Sequence, residues 1–225
     1  MITINDRDLS HELYQEIQAL RPDLFKSQSN INYILDPTAI ERYEQETGET
    51  IGVLYKMNDY ELFVVDLIDK KGKLTLHGRI ILPYNGVVII PKIGDKFILE
   101  NQYRYPVCLQ HLVFPSGHCE PNATPEEDAI REIKEELRGD LKNPIYLGKT
   151  YPETHSDAWF CSVFSGDVQG LVISPEGTIE RNGYEGIQNL IAYTAEEIDQ
   201  LIKDGKIDCG YTLAAWALYK SSLNQ

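Results

Sequence analysis

Between Gly117 and Gly139 the chain reads GHCEPNATPEEDAIREIKEELRG, and Glu132, Glu135 and Glu136 stand there at positions i, i+3 and i+4. On a helix, side chains at these spacings are neighbours on one face. Three carboxylates gathered on a face repel one another unless a cation lies among them. Mg²⁺, a hard cation that takes carboxylate and phosphate oxygens together, is the simplest occupant. Taken alone, the EIKEEL run reads first as a solvated acidic face. The residues upstream shift the balance. Pro115-Ser116-Gly117 forms a loop, and Gly117 lies fourteen residues before Arg131. A glycine loop feeding an acidic helix lets backbone approach a ligand closely.

The elements that must position these groups are legible nearby. Thr124 can cap a helix, Pro125 can be its first residue, and Glu127 closes a Thr-x-x-Glu capping box. Ala129, Ile130, Ile133 and Leu137 fall on one apolar arc, with the glutamates outside it. One face of the helix is thus expected to pack on a core while the acidic face looks elsewhere.

The pattern Gly-x13-Arg-Glu-(apolar)-x-Glu-Glu resembles the signature box of Nudix hydrolases, matching at Gly117, Arg131, Glu132, Ile133, Glu135 and Glu136. It departs at Ala123, where the box has glutamate, and at Arg138, where it has glycine. Leu99 to Tyr105, followed by Phe114-Pro115-Ser116-Gly117, is similar to the ADP-ribose and ADP-sugar pyrophosphatase branch, as is Gly205 to Asp208 with Thr212 to Ala215. That branch has a glutamate where this chain has Val113. The similarity covers about residues 83–220.

The resemblance implies an α/β/α sandwich and cleavage of a diphosphate linkage with the help of Mg²⁺, or Mn²⁺ in its place. It makes Glu132 and Glu136 metal ligands together with the main-chain carbonyl of Ser116, and gives Glu135 a second ion or a water to orient. Arg104 and Gly117 become substrate-binding residues, and Arg131 a structural one that holds a glutamate by a bidentate contact. The general base is expected in the stretch Ser165 to Gly186, long and rich in glycine as a substrate-covering loop would be. Of Glu176, Glu180 and Glu185, the reading favours Glu185, just before a strand. Tyr103, Tyr105 and Phe114 are the aromatics near enough in sequence to stack on a base, although at strand positions aromatics more often fill a core. Family members are commonly homodimers, which extends the same expectation to this chain.

Composition sets the outer limits. The chain has 225 residues, 42% hydrophobic, enough for one large domain or a domain with an extension. Net charge is −14, which argues against general nucleic-acid binding and requires a metal or local arginines at any phosphate site. No apolar run is long enough to span a membrane, and the first residues lack the basic and apolar regions of a signal peptide. Cys108, Cys119, Cys161 and Cys209 are widely spaced, which suits reduced thiols in a cytoplasmic protein. The histidines show no metal-site spacing, and the glycine-rich signatures of Rossmann and P-loop sites are absent.

Residues 1–50 read as helical, with Ser10 and Asp36 as candidate caps. Residues 51–82 read as short strands, making residues 1–82 a helical and β extension and 83–225 the Nudix-like domain. Strands are expected at Gly86–Pro91, Lys96–Asn101, Ile145–Gly148, Ala158–Phe164 and Gly186–Tyr193, and helices from Thr194 to Gly205 and from Tyr211 to Ser221. This order predicts a mixed α/β or α+β sheet between helices. Two function classes follow. One is a Mg²⁺-dependent pyrophosphatase acting on a nucleoside diphosphate sugar, with ADP-ribose, cleaved to AMP and ribose 5-phosphate, as the leading substrate. The other is a binding or regulatory protein, or an enzyme for another nucleotide, that keeps the fold with altered catalysis.

Overall fold

A computed structural model of the chain describes residues 2–28, 30–57, 61–179 and 187–223. The chain begins with β1 (Ile2–Thr3), α1 (Arg7–Leu20), a 3-10 turn (Pro22–Phe25), β2 (Ile31–Tyr33), α2 (Pro37–Thr47), β3 (Gly52–Met57), β4 (Glu61–Lys70) and β5 (Lys73–Ile81). It continues with β6 (Gly86–Ile93), β7 (Lys96–Arg104), β8 (Leu109–Val113), β9 (Ser116–His118) and α3 (Pro125–Glu132), which runs into a π-helical turn (Ile133–Leu137). Then follow β10 (Asp140–Thr150), β11 (Asp157–Ala158), β12 (Cys161–Gln169), β13 (Thr178–Ile179), β14 (Ile187–Tyr193), α4 (Ala195–Lys203) and α5 (Gly210–Ser222). Two compact units result: Met1–Tyr84 with Glu153–Trp159, and Asn85–Pro152 with Phe160–Gln225.

In the first unit the strand order among the described residues is β1-β3-β4-β5-β11, with β2 on β4. Asp6, not Ser10, caps α1, accepting from the N–H groups of Asp8 and Leu9. Ser10 is buried in the helix instead, because β3 approaches so closely at Gly52 (φ +120°) that a Cβ there would meet the Ser10 hydroxyl at 2.7 Å. Asp36 caps α2 as expected, and Gly48 ends it in the left-handed region. Tyr14, Ile17, Phe25, Ile40, Ile51, Val53, Val64 and Ile81 form the core. Within it, Asp66 takes the Tyr14 hydroxyl at 2.7 Å and Arg79 Nε at 2.6 Å, while the Arg79 guanidinium lies over the Phe25 ring. A buried charge pair is tolerable only when partnered in this way. The return segment has no counterpart in the sequence reading: β11 pairs in parallel with β5 through Asp157 and Ala158.

In the second unit the order among the described residues is β10-β12-β6-β7-β14-β13, with β8 on β7 and β9 on β6. Val87 to Ile90 of β6 are 0% exposed, lying between parallel β12 and antiparallel β9. Helices α3 and α5 both pack against β6 and β12. This is the mixed α/β sandwich expected from the sequence. The strand read at Ala158–Phe164 divides: Asp157–Ala158 pairs in the first unit, and β12 runs on to Gln169. Ser165 and Gly166 therefore belong to a buried strand rather than to a loop. A Cβ at Gly166 would meet Leu141 of β10 at 2.8 Å, so close strand packing selects the glycine that reads as loop.

Candidate active site

Local chemistry starts the central helix where the sequence indicates. The Thr124 hydroxyl accepts from Glu127 N–H at 3.2 Å, and the Glu127 carboxylate accepts from Thr124 N–H at 2.8 Å. Ala129, Ile133 and Leu137 are buried and anchor the helix. Ile130 is not part of that anchor: it is 40% exposed and lines a cavity of about 350 Å³ with Glu127, Lys134, Glu135 and Leu141. The buried arc is one residue narrower than the spacing predicts. Glu132 and Glu136 are not on that cavity; they are buried, 7% and 3% exposed, whereas the Glu135 side chain is 43% exposed. The acidic residues thus divide between a buried pair and one that solvent reaches.

The glycine loop and the helix meet at Gly117. A Cβ on Gly117 would overlap the Glu132 carboxylate, so only glycine lets the loop backbone lie against that group. The loop is fixed by pairing of β9 with β6, where Pro115 accepts from Ile89 N–H at 2.9 Å. Successive carbonyls of a strand point to opposite sides, which turns the Ser116 carbonyl away from β6.

Arg131 organises the carboxylates. Its Nη2 donates to the His118 carbonyl at 2.8 Å and to Asp128 Oδ1 at 3.1 Å, and lies 2.9 Å from Glu132 Oε1. Its Nη1 donates to Glu135 Oε2 at 3.1 Å, and Nε is 3.6 Å from Glu120. Arg131 therefore divides its contacts between two glutamates of the box rather than gripping one with both nitrogens. Burial alone would make the guanidinium easier to deprotonate; Glu132, Asp128, Glu135 and Glu120 override it and raise its pKa further. Asp128 is 1% exposed and also accepts from Glu120 N–H at 3.2 Å. Neither Asp128 nor Glu120 was singled out from the sequence, although the i, i+3 spacing of Asp128 and Arg131 is a readable ion-pair signal. Cys119 beside them is pushed up to about 12, first by burial and then by Asp128, and so stays a thiol.

The remaining candidates are dispersed. Arg104 ends β7 at a hairpin, and its side chain makes no hydrogen bond or ion pair with another described residue. Tyr103 and Tyr105 pack edge to face there, with Tyr105 78% exposed. Phe114 is buried against Trp216 and belongs to the core. Glu180 and Glu185 lie outside the described residues. Glu176 lies in a turn, where a hydrogen bond from Ser174 lowers its pKa.

These groups suit a hard divalent cation. The Gly117 cradle, the outward Ser116 carbonyl and two buried carboxylates one turn apart offer oxygen donors without nitrogen or sulfur, the set that Mg²⁺ takes. No three His, Cys, Asp or Glu side chains converge into a ready-made cage among the described residues.

The chain has the fold of a protein described as an ADP compounds hydrolase, with TM-score 0.66 and 16% identity over 88% of this chain and 97% of that one. It is also 32% identical over 132 residues to the DNA mismatch repair protein MutL of Chlamydia pneumoniae, 52% of this chain and 21% of that protein. The chain thus spans about a fifth of the length of that curated relative. A family model described as the NUDIX domain matches residues 84–206, more than half of the chain. With its glycine loop, arginine and glutamates assembled as described, the chain belongs to the Nudix family of hydrolases.

Proposed function

We propose that this protein hydrolyses the diphosphate linkage of a nucleoside diphosphate sugar with Mg²⁺ or Mn²⁺, ADP-ribose being the first substrate to test. In this reading residues 83–225 carry the chemistry and residues 1–82 are an extension. The observation that carries it is the Gly117 backbone seated against the Glu132 carboxylate, with Arg131 Nη2 2.9 Å from that same carboxylate. Support for the substrate comes from the Gln102-Tyr103-Arg104 segment and from the fold shared with an ADP compounds hydrolase.

Glu132, Glu136 and the Ser116 carbonyl would hold the metal. When bound, the metal neutralises charge on the diphosphate oxygens and acidifies an attacking water. The chain does the rest by position. Gly117 keeps the space beside Glu132 clear of side chain. Arg131 sets the orientation of Glu132 and Glu135. Glu135, reached by solvent and tethered to Arg131, can orient a water molecule. Arg104, whose guanidinium has no partner among the described residues, can receive a phosphate.

The test is AMP production from ADP-ribose with Mg²⁺, beside a panel of other nucleoside diphosphate and triphosphate substrates. Turnover of ADP-ribose that falls by at least about 100-fold in Glu136→Gln is expected, the cost of losing a charged group held for the transition state. Tight binding of a nucleotide with no turnover across the panel would establish a binding protein instead. A Glu136→Gln variant as fast as the wild type would remove the metal assignment.

A further inference from the structure

Asp128 occupies a position that the helix alone does not require. An acidic residue in the first turn already stabilises a helix from the solvent side. Asp128 is instead 1% exposed, and a buried carboxylate is costly unless partnered. Its Oδ1 collects two donors from different parts of the box, the Glu120 N–H of the loop at 3.2 Å and Arg131 Nη2 of the helix at 3.1 Å. The box position that could carry a glutamate in this loop is Ala123, so the loop contributes only Glu120, at 3.6 Å, to the acidic surroundings of Arg131.

We propose that Asp128 is a positioning residue for the metal-binding glutamate Glu132, acting through Arg131. Arg131 Nη2 has two hydrogens. One goes to the His118 carbonyl and one to Asp128, while Glu132 Oε1 stands 2.9 Å away. With its two hydrogens directed to the His118 carbonyl and to Asp128, the guanidinium is fixed in place beside Glu132 Oε1. Without Asp128, the released N–H turns more fully onto Glu132 Oε1 and competes with a metal for it.

The inference rests on the metal-site reading above, and its test separates the two. Mn²⁺ binding is measured from the electron paramagnetic resonance of free Mn²⁺, a readout independent of turnover. It is applied to the wild type, Asp128→Ala, Arg131→Ala, the double variant and Glu136→Gln, with thermal melts of each. Asp128→Ala should weaken Mn²⁺ binding by about 10-fold, the usual cost of losing a group that orients a ligand. The double variant should bind as Arg131→Ala does, because the two changes act on one coupled unit. Wild-type affinity in Asp128→Ala, or losses that multiply in the double variant, would overturn the proposal. Where Asp128→Ala shows no thermal transition, Asp128→Asn keeps the shape and drops the charge, and wild-type affinity in that variant overturns it equally. If Glu136→Gln abolishes binding and Asp128→Ala does not change it, the metal site stands and only the role of Asp128 falls. If the wild type binds no Mn²⁺, both fall together.

Discussion

Gly117 and Glu132 share one small volume: the glycine backbone ends where the Glu132 carboxylate begins, and a Cβ on the glycine would fall inside it. Arg131 Nη2 also lies 2.9 Å from Glu132 Oε1, so the carboxylate has little room to retreat. Gly117→Ala should therefore displace the Glu132 carboxylate by about an ångström and lower kcat/KM by about 100-fold. The φ of Gly117 is not in the left-handed region, so the backbone itself accepts alanine. Steady-state kinetics beside a thermal melt check this; loss of activity with the melting temperature nearly unchanged is the expected pair.

Arg138 ends the π-helical turn with φ 59°, in the left-handed region. A side chain there costs about 1–2 kcal/mol, and glycine avoids that at an entropic cost of about 0.5–1 kcal/mol. Arg138→Gly should thus stabilise the protein by about 0.5–1 kcal/mol, read from urea denaturation. Gly139 is not interchangeable with it, because a Cβ at 139 would collide with Val168 of β12. Gly139→Ala should destabilise.

Helix α5 starts at Cys209, which makes no side-chain hydrogen bond to the helix. Aspartate at an N-cap accepts from the first-turn N–H groups and is favoured by the helix dipole, worth about 1 kcal/mol. Cys209→Asp should raise stability by about that amount. Denaturant unfolding measures it, and an unchanged midpoint would show that the first turn is already satisfied.

Glu153 accepts hydrogen bonds from the Ser156 hydroxyl and from the N–H groups of His155 and Ser156, which together lower its pKa from 4.5 to about 2. A depressed folded pKa means stability that is fully present above the unfolded value and lost as pH falls toward the folded one. The stability difference between the wild type and Glu153→Gln should accordingly be constant above pH about 4.5 and shrink between there and about 2. Carboxyl NMR shifts followed through the same range locate the titration directly.

Legibility followed the range of the forces. The capping boxes at Thr124–Glu127 and Thr194–Glu197 were readable because their chemistry closes within four residues. Central β6 was readable because a strand buried on both faces is a continuous apolar run. The two-residue strand at Asp157 was not, since its only qualification is a partner, Ile80, far away in the chain. The glutamates and Arg131 could be found by spacing, yet which of them is buried could not. Glu135 and Glu136 are adjacent and chemically alike, and only the packing of the helix leaves the first in solvent and the second inside. Asp128 was hidden by its own plausibility, as an acidic residue in a first turn needs no further reason.

The return of Glu153–Trp159 to the first unit bears on how the polypeptide is made. Strands β1 to β5 emerge from the ribosome early, but β5 gains its parallel neighbour only after Ala158 has been synthesised. At about 5–20 residues per second, that leaves the β5 edge without this neighbour for seconds in a growing chain. Its outer end carries Lys71 and Lys73, charges that discourage foreign strands from docking in the interval. A gene cut after residue 84 would make the delay permanent, so the first unit is not a cassette that can be excised at a single point.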